Sequence, residues 1–271
     1  MKGIKIEKSI EIKTLYTFFS KKYDKNYSFE GESHDFWELV CVVKGCVGIT
    51  AGKYVYKLNS GECFFHRPME FHRIWAEGNE KCEIIVMSFS CSNMIKVNHG
   101  KYVMTSDNIG TLKKLLAKSD EIYEKDDIAL ININENKQYE VQIFVNNLEN
   151  VIVDILSKGY SETTELKSQT ADKYTYVTKI MEENINKRLS AEELADLCNM
   201  SVANLKKVFK KYSGIGVMEY FGDMKMKMAK KYLKEGKSVK ETALLLGFYD
   251  QNYFNVFFKR HAGISPGRYR E

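Results

Sequence analysis

The sequence has no run of about eighteen apolar residues, so it contains no helix of the length and character needed to cross a bilayer. Nor do its first thirty residues place a basic segment, an apolar core and a cleavage site in succession; charged and apolar side chains alternate there, and a cytoplasmic location is expected. Cysteine is sparse and scattered. None of Cys41, Cys46, Cys63, Cys82, Cys91 and Cys198 forms a C-x-x-C pair, which argues against a zinc or disulfide framework and for reduced thiols. Proline is rarer still, with only Pro68 and Pro266 present. The second lies beyond the last long helical pattern, so nothing interrupts the helices read from Tyr174 onward.

What is present is enough for two cores: 271 residues, 44% of them hydrophobic. Charge is divided unevenly between the two ends. Residues 171–271 hold 19 Lys and Arg against 12 Asp and Glu, whereas residues 1–170 hold 22 against 24. A basic C-terminal region fits a polyanion partner, because phosphates neutralised by Lys and Arg release their counterions; a solvated lysine-rich surface is the plainer alternative.

Up to about residue 95 the chain reads as short strands: Trp37–Val43, Val47–Thr50, Tyr54–Leu58, Cys63–Phe65 and Glu83–Phe89, punctuated by Gly45, Gly48, Gly52 and Gly61. The stretch Gly48–Lys53 is too short for a phosphate loop and is read as a turn between strands. The period then changes. Leu112–Tyr123 is helical, and Val141, Phe144, Val145, Leu148, Ile152, Ile155 and Leu156 form the apolar stripe of a second helix. Ser157–Thr170, with one Leu among Ser, Thr and charged residues, has little to bury and reads as a connector.

The C-terminal region is internally duplicated. Phe209-Lys-Lys-Tyr-Ser-Gly-Ile215 and Phe258-Lys-Arg-His-Ala-Gly-Ile264 match at an offset of 49. Upstream, Ser190-Ala-Glu-Glu193 matches Ser238-Val-Lys-Glu241 at an offset of 48, and each is a capping box that starts a helix. Ala195 and Ala243 follow, then Asn199 and Gly247. A small residue lets two helices approach, and Asn or Gly accepts the positive φ of a sharp turn, which is the steric pattern of a helix-turn-helix. Ser201 and Asp250 then cap the second helix of each copy. With Leu205, Phe209, Phe254 and Phe258 turned inward, the outward side chains are Val202, Ala203, Lys206, Lys207 and Lys210 in the first copy. In the second they are Gln251, Asn252, Asn255, Val256 and Lys259. Gln and Asn suit adenine, Lys suits guanine or phosphate, and Ala or Val suits a thymine methyl. A bundle of two stacked hairpins with polar outer faces is the alternative for either copy taken alone; the duplication of caps, turns and F-K-basic segments favours DNA.

Ser190–Arg270 resembles the DNA-binding domain of AraC/XylS regulators. Especially close are Gly247-Phe248-x-Asp250-x-x-Tyr253-Phe254-x-x-x-Phe258-Lys259 and Gly263-Ile264-Ser265-Pro266-x-x-Tyr269-Arg270. The resemblance implies two helix-turn-helix units joined by a helix from about Met218 to Lys234, each reading a major-groove segment through Ser201, Ala203, Lys206, Lys207, Lys210, Gln251, Asn252, Asn255 and Lys259. Three departures stand out: Lys225 and Val256 occupy positions where the family often has Arg, and Thr242 one where it usually has Ile. In front, His34-Asp-Phe-Trp-Glu38 with Gly45, and Gly61 with Pro68 and His72, resemble the two cupin motifs found in many such regulators. In metal-binding cupins those motifs supply three His and a Glu, and by position this chain offers Glu32, His34, Glu38 and His72. With Glu32 in place of a His, the expectation is no metal or other cofactor, and a pocket lined by His34, Trp37, Glu38, His66, Arg67, His72, Arg73 and Trp75 that suits a sugar or a carboxylate.

The fold expected is thus α+β and multidomain: a cupin-like β-barrel effector-sensing domain over 1–100, a helical dimerisation or connecting region over 101–158, a linker over 159–171, and an all-α DNA-binding domain over 172–271. The function expected is a ligand-responsive transcription regulator, with no catalytic residues. Its partners are promoter DNA, a small-molecule effector, RNA polymerase and a second copy of itself, and no membrane. A metal-dependent cupin enzyme with accessory helices, and a DNA-binding protein that answers to no effector, are the rival readings.

Overall fold

A computed structural model describes residues 3–5, 7–93, 97–161 and 168–270. The chain divides into two compact units, one of residues 1–52 and 56–166 and the other of residues 53–55 and 167–271.

The front unit contains β1 (Glu11–Tyr23), β2 (Trp37–Lys44), β3 (Cys46–Ala51), β4 (Tyr54–Asn59), β5 (Glu62–His66), β6 (His72–Ala76), β7 (Cys82–Ser92) and β8 (Lys101–Val103). These are followed by α1 (Ser106–Ile122), β9 (Tyr123–Asp126), β10 (Ala129–Ile133), α2 (Gln138–Ser157) and β11 (Tyr160–Ser161). An eight-stranded sheet runs in the order β11-β8-β5-β2-β7-β1-β10-β9, and a three-stranded sheet in the order β4-β3-β6. Alternation along β2, β5 and β7 divides the large sheet into two faces. One presents Leu39, Cys41, Phe65, Met87 and Phe89, which share a core with Leu112 of α1 and with Phe144, Leu148 and Ile152 of α2. The other carries Glu38, Val40, Phe64, His66 and Ser88 toward the small sheet, where Phe64 meets Tyr56 and His66 meets His72, with ring centroids 5.1 and 4.6 Å apart.

Three features differ from the expected pattern. β1 escapes the strand pattern because register shifts at Ile12/Thr14 and Leu15/Thr17 break its alternation, so Ile12, Leu15 and Phe18 reach the core at spacings of three. Residues 101–158 are not wholly helical: β8 and the β9–β10 hairpin lie among the helices, the hairpin turning through Asp127 at φ 51°. Of the linker expected over 159–171, residues 162–167 lie outside the described residues. Its ends are regular structure, because Tyr160 pairs with Tyr102 on β8 and the Ser168 hydroxyl caps the next helix at the Ala171 amide.

The second unit is α-helical: α3 (Gln169–Glu183), α4 (Ala191–Leu197), α5 (Val202–Tyr212), α6 (Val217–Lys234), α7 (Val239–Leu245), α8 (Gln251–Ala262) and α9 (Pro266–Arg270). Both capping boxes form, Ser190 with Glu193 and Ser238 with Glu241. Asn199 and Gly247 take φ of 51° and 72° in the turns that follow. Leu205, Phe209, Phe254 and Phe258 are fully buried, each ring or branched chain contributing roughly 1.5–3 kcal/mol by leaving water. Tyr174 of α3 packs on Phe209 and Tyr212, and the Tyr212 hydroxyl bonds Thr170 at 2.9 Å, which ties α3 to the first helix pair. Around the second pair, Met226, Ala229 and Leu233 of α6 form a core with Ala243, Leu246, Phe254 and Phe258. Among the described residues no helix is long and apolar enough to cross a membrane.

Candidate functional site

Two kinds of site emerge, one in each unit. In the second unit the α5 and α8 faces that the cores leave over are polar. Ser201, whose hydroxyl accepts from the Asn204 amide, starts α5, and Ala203, Lys206 and Lys207 are exposed along it. Lys210, also exposed, donates to the Gly214 carbonyl at 2.5 Å and so closes the C-terminal end of α5. On α8, begun by Asp250 capping the Tyr253 amide, Gln251, Asn252 and Lys259 are exposed. Asn255 is only half-buried, yet its Oδ1 is enclosed without a hydrogen-bond partner. Tyr249 and Arg188 escaped the sequence reading, and Tyr253 entered it only as part of the family motif. Tyr249 is 91% exposed in the turn before α8, and Arg188 lies 6.0 Å from the ring of Tyr253, itself 55% exposed. Only their type carried a signal: exposed aromatic and guanidinium groups are common on nucleic-acid faces, but nothing in their spacing marks them.

In the front unit β2, β5, β6 and the loop before β2 bring together four of the eight expected pocket residues. Glu38 stands opposite His66 on β5 and Ser88 on β7, and accepts a hydrogen bond from the Ser88 hydroxyl at 3.1 Å. His72 Nε2 lies 3.4 Å from Glu38 Oε1 and 3.9 Å from Glu32 Oε1, and His34 Nε2 lies 3.8 Å from Glu38 Oε2. The other four turn elsewhere. Trp37 points to the helix-covered face and packs against that core, as alternation from Glu38 requires. Arg73 and Trp75 leave β6 on the side opposite His72, Arg73 bonding the Phe29 carbonyl and Trp75 the Glu77 carboxylate, both at 2.7 Å. Arg67 donates from its guanidinium to the Val97 carbonyl at 2.9 Å. Adding a Cβ at Gly48 would place it 2.2 Å from the Trp75 ring. Gly48→Ala is therefore expected to displace the indole, lower front-unit stability by about 1 kcal/mol and shift tryptophan emission to the red; unchanged emission would contradict the close approach.

Beyond the cluster lies a second set around His66, whose members Glu70, His99 and Tyr56 the sequence reading missed. Glu70 sits between His66 Nδ1 at 3.6 Å and His99 Nε2 at 2.8 Å, and His99 Nδ1 meets the Tyr56 hydroxyl at 2.8 Å. Burial works against the charge on Glu38 and Glu70, but the imidazoles of His34 and His72 beside the first, and those of His66 and His99 beside the second, hold both well below the usual carboxylate range. His72 is likewise opposed by burial, and Glu38 outweighs it and raises the imidazole; burial lowers His66. The fit to a divalent cation is good on one observation. His34 Nε2 and His72 Nε2 are buried with no hydrogen-bond partner and face carboxylate oxygens, so Glu32, His34, Glu38 and His72 are the residues that would hold an ion.

Comparison with known proteins agrees with this division. Residues 16–100 match the model of an AraC-like ligand binding domain, and residues 194–271 that of a helix-turn-helix domain. The Msm operon regulatory protein of Streptococcus mutans is 24% identical over 258 residues, 93% of this chain and 90% of that one. The bifunctional transcriptional activator/DNA repair enzyme AdaA of Bacillus subtilis is 29% identical over 136 residues, 50% of this chain; the chain spans 64% of AdaA's length. ToxT from Vibrio cholerae, solved with an unsaturated fatty acid bound, is 13% identical with 96% of each chain covered and a TM-score of 0.36. Most of the relatives are transcription regulators. With a ligand-binding model matching its β-rich front, a helix-turn-helix model matching its end, and a regulator aligned along nearly its whole length, the chain belongs to the AraC family of DNA-binding transcription regulators.

Proposed function

We propose that the second unit reads promoter DNA through Ser201, Ala203, Lys206 and Lys207 of the first helix pair and Gln251, Asn252, Asn255 and Lys259 of the second. A ligand in the front-unit pocket alters its occupancy of DNA. The observation that carries the first half is the pair of capped helices, α5 and α8, whose buried faces are fixed by Leu205, Phe209, Phe254 and Phe258 and whose polar faces stay exposed. Lys210 is assigned to the helix end, not to a base, because it already bonds Gly214. The pocket half rests on His34, Glu38, His66 and His72, a polar group enclosed between two sheets. No catalytic step belongs to this reading.

A second copy of the chain and RNA polymerase complete the proposed partners. Exposed Tyr139 and Ile143 on α2, with Ile131 and Ile133 on β10, support self-association through the front unit, and the similarity to AdaA, a transcriptional activator, supports contact with polymerase. The bound duplex separates base contacts from phosphate contacts. Lys207→Ala is expected to cost about 1–3 kcal/mol on the preferred sequence and to relax discrimination at one half-site, whereas Lys259→Ala weakens all sequences alike and lowers the salt slope by about 1. Anisotropy titrations against matched and mismatched duplexes at several salt concentrations make the distinction. Equal loss on every sequence for both variants would remove Lys207 from base reading.

A further inference from the structure

We infer that the surface where the two helix pairs meet grips the sugar–phosphate backbone of the bound duplex, with Arg188 paired to one phosphate and Tyr249 and Tyr253 set against the sugars beside it. The inference rests on the reading of α5 and α8 as the two reading heads, and adds a contact that neither head supplies.

The three residues come from both sides of the joint. Arg188 stands two positions ahead of Ser190, the cap of α4. Tyr249 is the residue by which the second turn exceeds the first. Gly247, Phe248 and Tyr249 separate Leu246 at the end of α7 from Asp250, whereas Asn199 and Met200 alone separate Cys198 at the end of α4 from Ser201. Tyr253 lies in the first turn of α8, next to the reading residues Gln251 and Asn252. In the fold all three border one open hollow of about 190 Å³, which the buried Phe221 and Lys225 of α6 also line. An apolar cavity of about 150 Å³ takes one benzene ring, so this hollow has room for a single sugar ring and none for a base pair.

Charge at the hollow has one sign. Its lining carries two cations, Arg188 and Lys225, and no carboxylate. Lys225 turns its N–H groups inward onto three backbone carbonyls. Arg188 is exposed, makes no ion pair or hydrogen bond among the described residues, and lies 6.0 Å from the Tyr253 ring. The carboxylate nearest in sequence to Tyr249, that of Asp250, accepts from the Tyr253 amide at 2.7 Å. A guanidinium whose donors lack acceptors fits an anion that offers two oxygens side by side, as a phosphate diester does. Tyr249 is 91% and Tyr253 55% exposed, so their own unit leaves both rings open to a partner.

Position selects the duplex as that partner. Two heads in adjacent major-groove segments on one face of the DNA leave a minor groove between them, and the backbone that borders it passes the joint. Base edges in that groove give a degenerate pattern. A contact there therefore supplies affinity and register, and the sequence is read by the heads.

The test uses the full chain and duplexes in which phosphates between the two conserved blocks are replaced, one position at a time, by uncharged methylphosphonates. Wild type is expected to lose about 10-fold in affinity at one or two of these positions. Arg188→Ala should bind the unmodified duplex about 10-fold more weakly, keep the same preferred sequence and lower the salt slope by about 1. It should lose nothing further at the methylphosphonate that wild type feels most. Tyr249→Ala should weaken binding about 5-fold on every sequence. Both side chains are exposed, so both variants should melt as wild type does. Unchanged affinity and salt slope in Arg188→Ala, or equal sensitivity of Arg188→Ala and wild type to every methylphosphonate, would overturn the grip. Reduced self-association of Tyr249→Ala in light scattering, with DNA affinity intact, would overturn it too, by assigning the exposed ring to a second copy of the chain. Failure of the reading heads looks different. Without any preference of wild type for matched over mismatched duplexes, base reading falls and the grip falls with it, whereas a grip that fails while that preference persists leaves the heads in place.

Discussion

Gly247→Ala is expected to destabilise the second unit by at least about 3 kcal/mol and to lower its melting temperature by roughly 15 °C. Two costs combine at this position. The backbone takes φ 72°, where an L side chain costs about 1–2 kcal/mol, and the added Cβ would stand 2.2 Å from the Asn186 carbonyl oxygen and 2.7 Å from its carbon. Those are backbone atoms of the segment that leads into α4, so no side chain can swing away. Either that segment or the α7–α8 turn must move, and with it the exposed face of α8. Gly263→Ala supplies the comparison. Gly263 takes φ 75° at the end of α8, but nothing lies within 4 Å of an added Cβ, so only the backbone cost of about 1–2 kcal/mol applies. Equal destabilisation of the two variants in a denaturant titration would show that the close approach at Asn186 has no energetic weight.

Lys225 holds the same segment from the other side. Its buried ammonium donates to the carbonyls of Ile185, Lys187 and Leu246 at 2.6, 2.9 and 2.5 Å, using all three N–H groups, and lies 4.9 Å from the ring of Phe221. These bonds join the entry to α4 with the end of α7, so one side chain spans both helix-turn-helix units from the helix that separates them. Lys225→Met keeps the stem and strips the donors. Leaving the three carbonyls without their donor is expected to cost about 3 kcal/mol and to weaken DNA binding through loss of the units' mutual placement. A pH series adds a second readout. Burial pushes the Lys225 ammonium down to about 8, whereas an unfolded lysine titrates near 10.4, so the unfolded chain binds more protons between those values and wild-type stability rises with pH there. That rise should vanish in Lys225→Met. Full stability with an unchanged pH profile would mean that the three bonds hold nothing.

The second unit was largely legible in the sequence because independent local signals coincide there. Ser190 with Glu193 and Ser238 with Glu241 each announce a helix start, Asn199 and Gly247 each announce a turn, and the copies confirm one another at nearly constant offset. Such signals act within a few residues, which is the range over which sequence patterns report backbone geometry. The pocket of the front unit was legible only in part. The spacing of four pairs His34 with Glu38, although His34 lies in the loop before β2, and alternation along β2 carries Trp37 to the opposite face. Trp75 and Arg73 face away from His72 for the same reason, although all lie within a few residues of the motifs that drew attention to them. Glu70 after β5, His99 before β8 and Tyr56 on β4 come together because the two sheets face one another, and no spacing encodes such long-range packing. β1 was missed because its bulges replace a period of two with spacings of three, and the β9–β10 hairpin because its exposed Ile131 and Ile133 offer no buried face to read.

Lys225 and Val256, two of the departures from the family pattern, find different physical accounts. Lys225 is a donor hub with three carbonyl acceptors, which a compact ammonium satisfies fully. Val256 is 67% exposed on α8 and brings no hydrogen-bonding group to that face, so under the proposed reading base contacts by the second pair fall to Gln251, Asn252 and Asn255.

Selection of random DNA duplexes by the full chain at moderate salt, with sequencing of what it retains, tests the central claim most directly. Two short conserved blocks about one helical turn apart, the first lost on Lys207→Ala and the second on Asn252→Ala, are the predicted result. Retention of DNA without any shared sequence, falling with salt alike for every duplex, would contradict it, because α5 and α8 would then be a basic surface and not a pair of reading heads.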